Sequence, residues 1–159
     1  MGKKLRVGIF SFTGDEGCVI TFVEILNYKI RDWADKVDFV HARVLRNKND
    51  MADIDVSFVE GAIASDKDRR KLLEIRENSK KVVAIGTCAI SGAPSNHRNF
   101  FDEATREEIR PILQQFQHLE KVQPLNAFVR VDAVVPGCPI IEPTFVKVME
   151  NYLKEFGVT

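Results

Sequence analysis

Strand-like and helix-like stretches alternate along this chain, and that alternation limits the folds open to it more than any other feature. Leu5-Arg6-Val7-Gly8-Ile9-Phe10-Ser11 is a short, mostly apolar run. After a glycine-rich turn, Phe22, Leu26, Ile30, Trp33 and Val37 recur at helical spacing, with Val23 beside them. "VDFVHARVL" reads as a second strand over 37–45, and "IDVSFVEG" as a third, ending at Gly61. Ser65 is placed to cap a helix whose first turn holds Asp66 and Asp68, acids that suit the positive end of the helix dipole. That helix is expected to run to about Ser79, with Leu72, Leu73 and Ile75 turned inward. "KVVAIGTC" follows as a fourth strand and "FVRVDAVVPG" as a fifth. Between them "DEATREEIRPILQQF" is a polar helix in which Pro111 predicts a break or kink. Glu142-Pro143 opens a last helix, with Phe145, Met149, Tyr152 and Phe156 on its buried face. The pattern predicts an α/β fold: an open, mostly parallel five-stranded sheet, helices on both faces, right-handed crossovers.

Composition removes several classes of function. The 159 residues suit one domain, 1–159, around a single core. Lysine plus arginine balance aspartate plus glutamate at 23 each, so bulk charge does not direct the chain to nucleic acid or an anionic membrane. No apolar run approaches the roughly 20 residues of a membrane helix, and none reads as a secretory leader. The cysteines number three, an odd and well-spread set that does not look like a disulfide framework. A reducing cytoplasm is the expected setting. Thiols there are buried and inert, catalytic, or metal ligands.

All three cysteines fall at predicted carboxyl ends of strands. Cys18 lies in the loop after the first strand, Cys88 at the end of the fourth and Cys138 after the fifth. In an open α/β sheet those ends share the edge where ligands bind. Asp15 is in the first of the same loops. Glycines stand beside each cysteine, where backbone amides can form nests for an anionic iron–sulfur centre, and Pro136 and Pro139 stiffen the turn at Cys138. Two readings stay open on this chemistry. The cysteines can be small buried hydrophobes and Asp15 a turn or capping residue. Alternatively, three thiolates hold a 4Fe-4S cube, whose fourth position then goes to another ligand, to water, or to a missing iron. His97, in the loop after Cys88, is a further candidate ligand, while His41 and His118 read as structural or surface residues.

Three motifs in order carry a family resemblance: "FTGDEGCVITF", "AIGTCAISG" and "VPGCPIIEP". The segment "VEGAIASDKDRRKLLEIRENSKKVVAIGTCA" and the downstream "RNFF" follow the same cadence. The chain resembles the small, electron-transfer subunit of nickel–iron hydrogenases, a flavodoxin-like domain of the superfamily that includes the complex I 20 kDa subunit. The resemblance implies that Cys18, Cys88 and Cys138 match three of the four ligands of a proximal 4Fe-4S cluster. The first cysteine of the family's C-x-x-C falls on Asp15, so the implied metal set is Asp15, Cys18, Cys88 and Cys138. Gly17 precedes Cys18, so the adjacent-cysteine pair of the complex I relative is absent. Val19-Ile20-Thr21 stands where many members carry a glutamate. The chain stops soon after the third motif, as compact cytoplasmic forms with a single cluster do.

The resemblance implies a relay subunit of an oxidoreductase with no catalytic residue of its own and no activity in isolation. Its partners would be a nickel–iron hydrogenase-like large subunit and further electron-transfer subunits. An apolar, partner-covered surface around the strand-end edge is expected. A carboxylate is a harder ligand than a thiolate, so an iron held by Asp15 is expected to leave readily and give 3Fe-4S. The competing expectation is a cluster-poor or cluster-free binding, regulatory or assembly module that docks a hydrogenase-like large subunit. A nucleotide or flavin site at the same edge is disfavoured by the two acids of "TGDEG" and by the absence of a G-x-G-x-x-G or Walker pattern.

Overall fold

A computed structural model of the chain describes residues 2–158. Five strands form one parallel sheet: β1 Leu5–Ser11, β2 Val37–Ala42, β3 Ile54–Glu60, β5 Ser79–Ile85 and β7 Ala133–Val135. Their order across the sheet is β2-β1-β3-β5-β7. β3 lies at the centre and is buried at every position. Helices cover both its faces, so the polar–apolar alternation of a half-buried strand is lost. The chain runs from β1 outward to β2 and then returns to β3 on the other side of β1. That reversal makes a topological switch point at the carboxyl ends of β1 and β3.

Two helices pack on one face, α1 Gly17–Trp33 and α5 Glu142–Glu155. Phe22 and Ile25 of α1 meet Phe145 and Met149 of α5 around Phe58 of β3. The Phe58 and Phe145 rings stand 4.8 Å apart, a tilted aromatic contact. On the other face α2, Asp66–Glu77, sets Leu72 and Ile75 against Ile54, Val82 and Ala84. Its start is as the sequence predicts: the Ser65 hydroxyl accepts a hydrogen bond from the Asp68 N–H at 3.1 Å.

Several boundaries differ from expectation, each for a local reason. Ile30 and Leu73 face solvent. The buried stripe of α1 is instead Cys18, Phe22, Ile25, Leu26 and Trp33, and Val37 opens β2 rather than extending the helix. β2 ends at Ala42, where the N–H groups of Leu45 and Arg46 both turn back to the Ala42 carbonyl. β5 stops at Ile85 because Gly86, at φ +82°, turns the chain into a short helix α3, Gly86–Ser91, which carries Cys88. The fifth strand of the sheet contracts to three residues, since the chain before it forms a 3-10 turn at Leu125–Ala127. Phe156 follows α5 and is only half-buried, while Leu153 fills the expected core position.

The polar helix α4, Glu103–Gln115, runs through Pro111 without a break. Proline leaves the Glu107 carbonyl without its helical donor, and on this exposed helix water can replace it. Two strands were not foreseen. β4 Ile63–Ser65 and β6 His118–Gln123 pair antiparallel beyond the main sheet.

Candidate metal centre

Four segments meet at the carboxyl edge of the sheet. The β1–α1 turn brings Asp15 and Cys18, the end of β3 brings Glu60, the β5–α3 junction brings Cys88, and the β7–α5 loop brings Cys138. Together they line a cavity of about 80 Å³. That volume exceeds the ~30 Å³ a water occupies in the liquid. It falls well short of the ~300 Å³ at which small-molecule pockets begin. Among the described residues no three His, Cys, Asp or Glu side chains close on one point as the ligands of a single ion do. The donors surround a space instead.

Gly86 keeps that space open. Its positive φ is one that side-chain-bearing residues seldom adopt, and a Cβ there would stand 2.4 Å from the Cys18 sulfur. Gly137, at φ +122°, plays the same part beside Cys138: a Cβ would meet the Pro139 carbonyl at 2.3 Å.

The electrostatics of the lining are one-sided. It carries three thiols and two carboxylates and no lysine, arginine or histidine. Glu60 is 3% exposed, and its two oxygens accept the N–H groups of Cys18 and Val19, each at 3.1 Å. These are orphan donors in the first turn of α1, so the carboxylate both satisfies them and fixes where Cys18 sits. Burial pushes the Glu60 carboxyl above its usual range, the two N–H groups pull it down, and Asp15 and Glu16 push it up again. Burial first and Glu60 next push the Cys18 thiol up to about 12, the Ile140 backbone lowers it, and Cys138 and Cys88 add smaller upward pushes. The lining thus holds donors for a cation and no positive group to offset its carboxylates. A coordinated metal reverses the balance and deprotonates the thiols outright. The donor set therefore fits an iron–sulfur core and suits a neutral ligand poorly.

Other contacts define each donor. The Ser95 hydroxyl donates to the Cys88 sulfur at 3.2 Å. Asp15 Oδ1 accepts from the Gly17 N–H at 3.0 Å, a local turn bond that uses one of its two oxygens. Cys18 is buried, Cys88 half-buried and Cys138 exposed. His97 is not part of the lining; its ring packs edge-on to Phe101, with centroids 5.6 Å apart. His41 stacks on Phe10 at 4.2 Å and His118 reaches the Ala64 carbonyl, both in structural settings. The sequence reading missed Glu60 and Ser95. The only signal for Glu60 was a lone carboxylate ending an apolar strand before Gly61, and Ser95 had none.

Residues 16–152 match the family described as NADH ubiquinone oxidoreductase, 20 Kd subunit, and the chain belongs to that family. Several similar proteins are named as hydrogenase subunits. The chain is 31% identical over 156 residues to a subunit of the F420-non-reducing hydrogenase of Methanothermobacter thermautotrophicus, covering 87% of this chain and 50% of that protein. It is 24% identical to the NAD-reducing hydrogenase HoxS subunit delta of Cupriavidus necator, over 93% of this chain and 78% of that one. In three dimensions it superposes on a solved NAD+-reducing NiFe hydrogenase in the H2-reduced state with a TM-score of 0.80 and 26% identity, over 96% of this chain and 93% of that chain. A NiFeSe hydrogenase from Desulfomicrobium baculatum, 18% identical with a TM-score of 0.63, shares the fold. The chain spans about half the length of the methanogen relatives it matches.

Proposed function

We propose that the chain is the electron-transfer subunit of a nickel–iron hydrogenase-type complex and holds one 4Fe-4S cluster on Cys18, Cys88, Cys138 and Asp15. The observation that carries this reading is the meeting of three thiols, from loops far apart in sequence, around one small cavity with no cation of its own. When bound, the cluster supplies one-electron transfer between a large partner subunit and an acceptor. The chain's own residues bind and orient it. Glu60 holds the first turn of α1, and with it Cys18, in place. Ser95 donates to Cys88, and hydrogen bonds to ligand sulfur are among the factors that set potential. Asp15 offers its second oxygen as the harder, more labile ligand. No residue of this chain is assigned hydrogen chemistry, which belongs to the large subunit. Ile20 in the first turn of α1, Val44 after β2 and Ile141 before α5 are exposed apolar residues at the carboxyl end of the sheet, and in this reading the partner covers them. A reducing cytoplasm is the setting that keeps the three thiols available.

One observation favours the cluster-free alternative: Asp15 already serves as a turn acceptor for Gly17. Anaerobic purification with iron, sulfide and EPR analysis separates the two readings. The wild type should contain iron and sulfide and give a 3Fe-4S signal on mild oxidation, and Asp15→Cys should hold a more persistent cube. An iron-free, colourless protein would sink the electron-transfer reading and favour a docking module. A cluster equally persistent in both proteins would remove Asp15 from the ligand set.

A further inference from the structure

A second cavity, of about 450 Å³, lies between the 3-10 turn at His97–Phe100, helix α4 and strand β6. It shares no lining residue with the cysteine cavity. Four permanent cations line it, Arg98, Arg106, Arg110 and Lys121, against two carboxylates, Glu103 and Glu120. Arg110 is paired with Glu107. Among the described residues, Arg98, Arg106 and Lys121 form no ion pair.

Arg98 is the most telling. One guanidinium nitrogen donates to the carbonyls of Ala64 and Leu119, at 3.3 and 2.6 Å, and so ties β4 to β6. Its Nε is buried and has no acceptor. Buried donors are almost always satisfied, and desolvated guanidinium groups normally face a carboxylate or another anion. Among the described residues Arg98 has no carboxylate within ion-pair distance, and with Arg106, Arg110 and Lys121 it outnumbers the two carboxylates of the lining. Ile109 and Leu113 add apolar surface to the same cavity.

We propose that this cavity binds a small organic phosphate. A guanidinium fork matches phosphate oxygens in pairs, and Lys121 adds a point charge. The apolar side chains suit a carbon body rather than a bare ion. The volume falls in the ~300–1,000 Å³ range of small-ligand sites. The site is independent of the cluster reading and stands or falls without it.

The test is isothermal titration of the full chain with adenosine monophosphate and with pyrophosphate, at ionic strength matched by sodium chloride. Adenosine monophosphate should bind saturably at one site per chain. Arg106→Gln and Lys121→Gln should each weaken it by at least about tenfold, the loss expected for one charge-assisted contact. Both residues are exposed and leave the Arg98 anchor intact, and Arg106 gives up only one exposed hydrogen bond, to the Asn99 carbonyl, so the thermal midpoint without ligand should move little and the iron content should not change. Heat no greater than the salt control, or unchanged affinity in both variants, would overturn the proposal. Binding of pyrophosphate alone would overturn its organic part. Binding of an oligoglutamate peptide in place of either phosphate would reassign the cavity to a protein partner.

Discussion

A methyl group at Gly86 would stand 2.4 Å from the sulfur of Cys18, on a backbone already at φ +82°. Gly86→Ala should therefore cost about 1–3 kcal/mol of stability from the backbone alone, and more if Cys18 has to move. Urea denaturation reads the first effect, and iron content after anaerobic purification reads the second. A variant with the wild-type midpoint would show that the site tolerates a side chain there. Cys18, Cys88 and Cys138 could be placed at one sheet edge from sequence because each follows a recognisable strand, and Asp15 entered the set through the family's C-x-x-C position. Glu60 could not, because its role is a partnership with the N–H groups of Cys18 and Val19 some 42 residues away. A lone glutamate at the end of a strand reads as a solvated terminus until the helix that needs it is in place.

Asp132 joins three elements. Its Oδ2 accepts from the Val82 N–H of β5 at 2.9 Å and from Arg76 at the end of α2 at 2.6 Å, immediately before β7 begins. Burial alone would raise its carboxyl, but the Val82 N–H and the Arg76 guanidinium together hold it below the usual carboxylate range. A group with a depressed native pKa binds fewer protons folded than unfolded, so its stabilisation is full above an unfolded value of about 3.9. It is lost as the pH falls through the lower native value. Asp132→Asn should cost about 1–3 kcal/mol at neutral pH and remove part of the acid-induced loss of stability. Urea midpoints measured from neutral pH down to acid check both. An unchanged acid limb would show that Asp132 does not couple these elements. The long elements were legible because their patterns are internal: β1 and β3 are apolar runs, and α2 carries its own cap. β4 and β6 were not. Three residues of β4 and the mixed "HLEKVQ" of β6 have no pattern of their own and exist because they pair with each other under Arg98. Pro111 does not end α4, because on this exposed helix water can take the carbonyl that lost its donor.

Three apolar side chains stand exposed at the carboxyl end of the sheet: Ile20 is 59% exposed, Val44 52% and Ile141 51%. On the proposed function, replacing all three with lysine should weaken capture of a large subunit by at least about tenfold, since a charge placed in a desolvated interface lacks a partner. The stability of the chain itself should move by less than about 1 kcal/mol, because the changes are on its surface. Pull-down from the native host, read beside a thermal melt of the free chain, separates the two. Undiminished capture would place the partner elsewhere. No described helix is long and apolar enough to cross a membrane. Read alone, the amino-acid order determined the α/β alternation and the parallel sheet, because periodicity and propensity are properties of near neighbours, and it put the three cysteines at strand ends. Folding decided that those donors share a cavity of about 80 Å³, that a buried glutamate anchors one of them, and that unpaired arginines gather on another wall. Those are contacts between residues remote along the chain. Their distances come from how helices and strands pack, which no local stretch encodes.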